Sequence, residues 1–498
     1  MAEPFRILTT PVRVAGRPPL AQLATLVAAD ALVRRARATG RTTEWQAAVM
    51  TGDLAGQHTV ERELAREGHD RASFGRDAFI ERVRAVEDGC RGVVVDHLDR
   101  LGVAVSLDSG GSDDPLVATA ARTAFVRLFE EGLLEGVERV VSTCPRCDTV
   151  VERADAEPVE LEGERVTLRL PGVDGAGLVD VALHAVEMMP GVVAVAIPPG
   201  VEGDDGDEDE VAPLAVVLPI DGRTVPVVRD EGVERATLIA PAHDAFDFEL
   251  SRRLGLGEIL ILDGEGIVIA EGPLFGLTRF AARSVARALL DAAGAIVAVD
   301  DQPEHAERCR RCRTVLVSRL GHHWFLAMDD LEVAATDELR AGSLTFEPPA
   351  LAEVVLDRAG RGGPWCLSHQ VWAGLPVPAA TCLDCGGVTV SVEATSRCSK
   401  CMGALVPDES VLDARFVSAV WPLAAAGWPG DQGGPSSLAS ETTLLVAPLH
   451  LATWVLPAAA LGLRLAGSVP FAQVAVQEAG GLADEAGVDE AELDALVE

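Results

Sequence analysis

The sequence predicts an α/β protein whose core is interrupted by a β-rich insertion. Three observations carry the prediction. The chain opens as strand, tight turn and helix: Phe5-Arg-Ile-Leu-Thr-Thr10, then Val14-Ala-Gly-Arg-Pro-Pro19, then helical periodicity from Leu20 to Ala38. That order is how a nucleotide-binding α/β domain begins, although this turn lacks a phosphate-cradling glycine set. From about Glu157 the texture changes to short Val-rich strands punctuated by Pro-Gly turns. Two Cys-x-x-Cys knuckles, Cys144-Pro-Arg-Cys147 and Cys309-Arg-Arg-Cys312, flank that stretch with 161 residues between them.

The elements follow in order. Gln57 to Gly68, with Val60-Glu-Arg-Glu-Leu64, reads as a surface helix, and Gly68 to Val86 as another helix or pair of helices. Ala118 to Leu134 is strongly amphipathic and is expected to end at Gly136; Val140-Val-Ser-Thr143 then enters the first knuckle. Strands are expected at Arg165–Leu170, Val192–Ile197, Val211–Leu218, Thr224–Val228 and Ala236–Ile239, a spacing that suits a β-barrel or a sandwich. The run Glu202–Glu210 reads as a solvated acidic loop. Helices resume at Phe248–Arg253 and Leu277–Ala293. After Trp324 the α/β texture returns, and Leu367–Trp372 precedes a second cysteine group. Leu444–Leu463 approaches the length of a membrane span, but Pro448, His450 and Pro457 interrupt it. A buried strand running into a buried helix fits it better.

The knuckles carry the clearest chemistry. A thiolate zinc site takes four sulfurs at ~2.3 Å, and two knuckles supply four. Cys382-Leu-Asp-Cys385 and Cys398-Ser-Lys-Cys401, with twelve residues between them, have the spacing of a compact zinc ribbon. Cys144, Cys147, Cys309 and Cys312 make a second site only if the two halves share one metal, which staples the ends of the insertion together. Four cysteines leave no open coordination position, so both sites are expected to be structural, each supplying ~10–16 kcal/mol of apparent binding free energy to folding. Eight of the ten cysteines fall in such pairs, which indicates metal binding in a reducing, cytoplasmic compartment rather than disulfides. Cys90 and Cys366 stand alone.

Composition bounds the rest. A length of 498 residues allows two to four domains, and 48% hydrophobic residues exclude a disordered chain. The formal charge of −35 argues against a broad nucleic-acid surface and against DNA, because phosphate contacts supply most non-specific affinity. Lys400 is the only lysine, so no mechanism needing two lysines is available. Met1-Ala-Glu-Pro-Phe-Arg6 has no basic segment leading into an apolar one and is not expected to be a signal peptide.

The order of several motifs resembles a class I aminoacyl-tRNA synthetase, specifically the valyl-tRNA synthetase family. They include Val60-Glu-Arg-Glu-Leu64, Gly68-His-Asp-Arg71, Phe125-Val-Arg-Leu-Phe129, Pro241-Ala-His-Asp244 with Asp247-Phe-Glu249, Gly276-Leu-Thr-Arg-Phe280, Trp365-Cys-Leu-Ser-His-Gln370 and Ser418-Ala-Val-Trp-Pro422. The resemblance implies a Rossmann-type core with an inserted β-barrel editing domain, and it supports the shared split zinc site. It implies this division: residues 1–156 the first part of the core with half of the split site, 157–300 the editing-like barrel, and 301–498 the rest of the core with the ribbon 382–401. No anticodon-binding domain is expected.

The departures from the family matter as much. Where the family has His-Ile-Gly-His this chain has Pro19-Leu20-Ala21-Gln22, and where Lys-Met-Ser-Lys-Ser is expected, residues 487–491 read Gly-Val-Asp-Glu-Ala. The residues that hold the ATP ribose are replaced by Ala447 and Leu449, and the amino-acid pocket stretch reads Met50-Thr-Gly-Asp53. One lost donor costs ~2.7–4 kcal/mol of transition-state stabilisation, and several are lost together. ATP is therefore not expected as a cofactor, nor valine–tRNA ligation as an activity. In the editing-like strand, aligned with Leu183–Met188, only Glu187 is kept; His184 is new to the motif, and the family's lysine aligns with Leu238. The acidic pair Asp244 and Asp247 remains. Two readings follow. One is a pseudoenzyme, a non-catalytic binding or regulatory protein that holds a tRNA acceptor end, a small molecule or another protein. The other is an aminoacyl-tRNA editing hydrolase working through Asp247, Asp244 and Glu187, with His243 near by. Against the second stands a simpler role, in which His243 and Asp244 cap the helix at Phe248.

Overall fold

The computed structural model describes residues 4–477 apart from 17, 108–109, 176, 200–212, 431–441 and 449. The acidic run Glu202–Glu210, Leu449 and residues 487–491 therefore lie outside the described residues. The chain forms two compact units, one of residues 1–136 with 324–498 and one of residues 137–323. These limits lie outside the expected 157 and 300, so both knuckles of the split pair fall in the second unit rather than in the halves of the first. The reason is local pairing: Ala156–Leu161 and Glu304–Cys309 form an antiparallel ladder from Glu304↔Leu161 to Cys309↔Ala156.

The first unit is built on a five-stranded parallel sheet. Its order is Thr345–Glu347, Gln473–Val476, Thr442–Val446, Phe5–Thr9, Thr43–Gln46. Both faces of this sheet are covered, as a parallel sheet requires. Successive side chains alternate, so Ile7 and Leu445 pack on Ala29 and Val33 of the helix Leu20–Ala38. Leu8, Leu444 and Val446 face the larger core with Phe416, Phe471 and Val474. The run from Leu444 resolves into the strand Thr442–Val446, a π-turn Leu451–Val455 and the buried helix Leu456–Ala466. Among the described residues no helix is long and apolar enough to cross a membrane.

Helix ends follow glycine. Leu54–Glu67 stops at left-handed Gly68, where His69 N–H reaches the Leu64 carbonyl at 2.9 Å. The stretch after it is two helices, Arg71–Phe74 and the long Arg76–Arg100. The expected helix to Leu134 is Pro115–Glu130 instead: Gly132, at φ 72°, supplies the left-handed residue, and Leu134 already belongs to the strand Leu134–Cys144.

The main core of the second unit includes Leu168, Val181, Met189, Val195, Ile261 and Leu290, with smaller clusters around Ile239 and Leu250 and around Ala242 and Phe248. Its strands form a four-stranded sheet, in order Ala215–Val217, Thr224–Arg229, Ala194–Ile197, Thr237–Ile239, and a three-stranded sheet, Ile296–Asp301, Glu164–Pro171, Leu178–Leu183. Among the described residues the bridge Gly172↔Val216 connects them. Among the described residues the strands of the expected barrel thus form two ladders, which pack on the main core. The short 3-10 turns Val173–Gly175 and Val186–Gly191 interrupt the strands.

Candidate metal centres and acidic sites

All four knuckles repeat one backbone design. In each, the residue after the second cysteine returns an N–H to the carbonyl of the first: Asp148 to Cys144 at 2.8 Å, Arg313 to Cys309 at 2.9 Å, Gly386 to Cys382 at 3.0 Å and Met402 to Cys398 at 2.9 Å. That returning residue is left-handed every time, at φ 49° for Asp148, 63° for Arg313, 65° for Gly386 and 62° for Met402. Three of the four are not glycine, and a left-handed non-glycine residue costs about 1–3 kcal/mol unless its surroundings hold it. The turn aims both thiols of a knuckle to one side.

The two halves then meet. In each group of four the sulfurs lie within 4.8 Å of one another. Cys144 and Cys312 are 3.3 Å apart, Cys382 and Cys401 3.4 Å, and Cys385 and Cys398 3.7 Å. Four thiolates at ~2.3 Å from one ion stand roughly 3.8 Å apart, so both sets fit a tetrahedral zinc. Backbone N–H groups point at two of the sulfurs, Cys147 to Cys144 and Lys400 to Cys398, both at 3.4 Å. The surroundings differ. Cys144, Cys147 and Cys309 are buried, whereas Cys385 and Cys401 are exposed. Lys400 folds over the ribbon, its Nζ 3.7 Å from where a Gly387 Cβ would stand.

The acidic residues of the second unit separate into distinct roles. Asp244 is exposed and is the N-cap of the helix Ala245–Leu254, its carboxylate accepting the Asp247 N–H at 3.0 Å. Asp247 is buried; its Oδ2 accepts the Ala240 N–H at 2.8 Å. Burial, with the Asp244 carboxylate adding to it, raises the Asp247 pKa to about 7. His243 does not cap this helix. Its Nδ1 donates to the Ser318 carbonyl at 2.9 Å and its Nε2 accepts from the Ile261 N–H at 3.0 Å. Burial holds its pKa at about 4, so the imidazole is neutral, with both nitrogens engaged. Glu187 is fully buried at the turn Val186–Gly191 and is clasped by two arginines, Arg279 Nε at 3.0 Å and Arg283 Nε at 2.8 Å. Both arginines also reach Glu304. Among the described residues the hydrogen-bond partners of Glu187 and those of Asp247 have no residue in common. Sequence reading missed Arg279, Arg283 and Glu304.

In the first unit, parallel α/β sheets bind ligands beyond the carboxyl ends of the strands where the strand order reverses, here beyond Phe5–Thr9 and Thr442–Val446. The helix that starts there, Leu20–Ala38, has Pro19 at its N-cap and no side-chain cap. His450 is neutral near pH 7, its pKa held at about 4 by burial and by Arg13. Arg13 itself pairs with Asp53 at 2.9 Å, and Asp53 caps Leu54–Glu67. Beneath lies Glu87, 4% exposed, whose Oε1 accepts the Gly52 N–H at 2.8 Å. Burial raises its pKa to about 8 against that hydrogen bond, with the neighbouring carboxylates of Asp53, Asp113 and Asp88 adding to the rise. Gly56 leaves room for it: a Cβ there would stand 2.7 Å from Glu87 Oε1. A sequence signal for Glu87 existed, since it sits on the buried stripe Phe79, Val83, Val94, Leu98 of its helix.

The profile of tRNA synthetases class I (I, L, M and V) matches residues 1–487. The chain is 32% identical over 480 residues to a valine--tRNA ligase of Desulfotalea psychrophila, covering 95% of this chain and 54% of that protein. Valine--tRNA ligases of Streptomyces coelicolor, at 32% over 489 residues, and Geobacter sulfurreducens, at 33% over 482, are covered to 54% of their own lengths. The chain thus spans about half the length of the curated relatives it matches. The solved ternary complex of LeuRS, tRNA and LeuAMS from Agrobacterium radiobacter K84 is similar at 13% identity and a TM-score of 0.47, covering 99% of this chain and 68% of that one. On the profile and these identities, the chain belongs to the class I tRNA synthetases of the I, L, M and V group and is similar, within them, to the valine--tRNA ligases.

Proposed function

We propose that the chain is a zinc-stabilised binding protein on a class I synthetase scaffold that does not activate valine with ATP. The observation that carries this reading is the entry of the first helix, which is formed by Pro19, Leu20, Ala21 and Gln22 and has no side-chain cap; the family resemblance aligns these four residues with the phosphate-binding signature. None of these side chains brings positive charge to a triphosphate, and the nearby imidazole of His450 is neutral. Catalysis of adenylate formation depends on donors aimed at the developing charge, so their loss removes most of the rate. The eight cysteines hold two zinc ions that maintain the scaffold. The bound partner in this reading is a tRNA acceptor end or a protein. The test is valine-dependent exchange of pyrophosphate into ATP by the zinc-loaded chain. No exchange above a protein-free control is expected; exchange at a rate typical of synthetases would overturn the reading.

A second reading is supported by Asp247. A buried carboxylate with a pKa of about 7 is suited to act as a general base near neutrality. In that reading the chain deacylates mischarged aminoacyl-tRNA through Asp247 alone, because His243 is committed on both nitrogens and Glu187 is saturated by arginine. Deacylation of Thr-tRNA(Val) that disappears in Asp247→Ala would establish it, and hydrolysis unchanged in that variant would remove Asp247 from the chemistry.

A further inference from the structure

One cavity of the first unit belongs to neither site described above. It lies between the helix Pro115–Glu130 and the three-stranded ribbon sheet, is open to solvent on one side, and has a volume of about 260 Å³. Its walls are largely apolar, with Pro376, Pro378 and Pro407 among them. Arg122 projects from the helix side and is half-buried, and among the described residues it makes no hydrogen bond and no ion pair. Thr389, on the ribbon side, presents a buried hydroxyl oxygen without a partner. Two carboxylates also line the cavity: that of Glu393 is exposed to solvent, and that of Asp408 is already committed. One of its oxygens accepts the Trp324 indole N–H at 2.9 Å and the other accepts the Ser410 N–H at 2.9 Å.

We propose that this cavity binds a small organic carboxylate with a compact apolar body. The carboxylate pairs with the Arg122 guanidinium, whose planar fork matches it with two parallel hydrogen bonds. The Thr389 hydroxyl donates a third hydrogen bond, which relieves a buried polar atom that otherwise costs stability unpaired. The apolar body lies against the prolines, which are rigid and lose little entropy on binding. Size sets the class. A volume of about 260 Å³ is below the range of roughly 300–1,000 Å³ usual for drug-sized ligands, so a nucleotide does not fit within it. Free phosphate offers nothing to the apolar walls. The same chemistry is presented by a free short-chain acid and by the C-terminal carboxylate of a peptide ending in an aliphatic residue.

The experiment is titration of the full zinc-loaded chain with 3-methylbutanoate, followed by calorimetry or NMR, alongside inorganic phosphate and a tripeptide ending in valine. Saturable binding of 3-methylbutanoate is expected, weakened at least tenfold in Arg122→Gln, less in Arg122→Lys, and several-fold in Thr389→Val. Two bound zinc ions and an unchanged melting temperature establish that each variant is folded. Tighter binding of the tripeptide identifies a peptide end as the source of the carboxylate, and tighter binding of the free acid identifies a metabolite. No saturable binding of either carboxylate, affinity unchanged in Arg122→Gln, or phosphate binding as tightly as 3-methylbutanoate would overturn the proposal.

Discussion

Each unit of the molecule holds one four-cysteine site and buried acid of raised pKa, Glu87 and Glu332 in the first and Asp247 in the second, and the two units differ most in their cysteines. In the second unit the cysteines come from opposite ends of its chain, Cys144 and Cys147 near the start and Cys309 and Cys312 near the finish. Three of the four are buried, and the flanking ladder ties Ala156 to Cys309. In the first unit all four lie within the twenty residues from Cys382 to Cys401, and two are exposed. The same knuckle, with the same left-handed residue after its second cysteine, closes a whole unit in one place and a local ribbon in the other. The difference teaches that the energetic weight of a metal site depends on how much chain it closes and how far it is shielded, not on its ligand set.

The largest expected effect breaks that contrast or confirms it. Cys309→Ser removes a buried ligand that closes the second unit. We expect zinc content to fall from two ions to one and that unit to lose several kcal/mol, up to the ~10–16 kcal/mol scale of a structural zinc. Cys385→Ser also lowers zinc to one, but its unfolding stays within the ribbon and the main transition moves by a few degrees. Calorimetry with metal analysis separates them; equal losses in the two variants would abolish the distinction. Metal removal follows the same order. Under excess chelator the first zinc leaves from the ribbon, where Cys385 and Cys401 face solvent, and the second at least tenfold more slowly. Release of both in a single phase would contradict the burial argument.

The cysteine sites were legible because their signal is local: ligand type and spacing are written within four residues, whereas the pairing of the distant halves depended on a shared metal and drew its support from the family resemblance. The opening strand and the helix Leu20–Ala38 were legible from periodicity and from Pro19 before the helix. The charged cluster was not. Glu187 meets Arg279 and Arg283 across 92 and 96 residues, and nothing local to Glu187 announces two arginines. The catalytic role expected for Glu187 rested on the motif around it, whereas its carboxylate is occupied by that cluster. The helix expected to reach Leu134 failed for a simpler reason, since two glycines, Gly132 and Gly136, could end it and the nearer one does. Strand spacing left a barrel and a sandwich open, because spacing does not encode which strands pair; the barrel came from the family resemblance alone.

The next effect concerns the buried acids. Both Glu87 and Asp247 bind their protons more tightly folded than unfolded, because burial disfavours their charged forms. The stability they allow is fully present below the ordinary carboxylate range and is lost as pH rises through about 7 for Asp247 and about 8 for Glu87. Glu87→Gln and Asp247→Asn should therefore melt close to the parent at pH 5 and above it at pH 9. Each gain should be on the order of a few kcal/mol at 1.36 kcal/mol per pKa unit. Melting temperatures across that range check it, and a gain at pH 5 as large as at pH 9 would show that burial alone, not ionisation, sets the cost.

The smallest effect decides between capping and chemistry at Asp244. Its carboxylate accepts the Asp247 N–H at the start of Ala245–Leu254, the usual work of an N-cap. Asp244→Ala should cost about 1 kcal/mol, while Asp244→Ser keeps an oxygen in place and should cost a few tenths at most. The pair of variants is informative because serine restores the cap without restoring the charge. The negative charge of Asp244 also helps raise the Asp247 pKa, so both variants should lower it modestly. If the chain deacylates aminoacyl-tRNA through Asp247, its rate–pH profile shifts down alike in Asp244→Ala and Asp244→Ser, even though only the first loses stability. A rate that tracks stability instead would make Asp244 a cap and nothing more. A rate abolished in Asp244→Ser, with stability intact, would put its carboxylate in contact with the substrate.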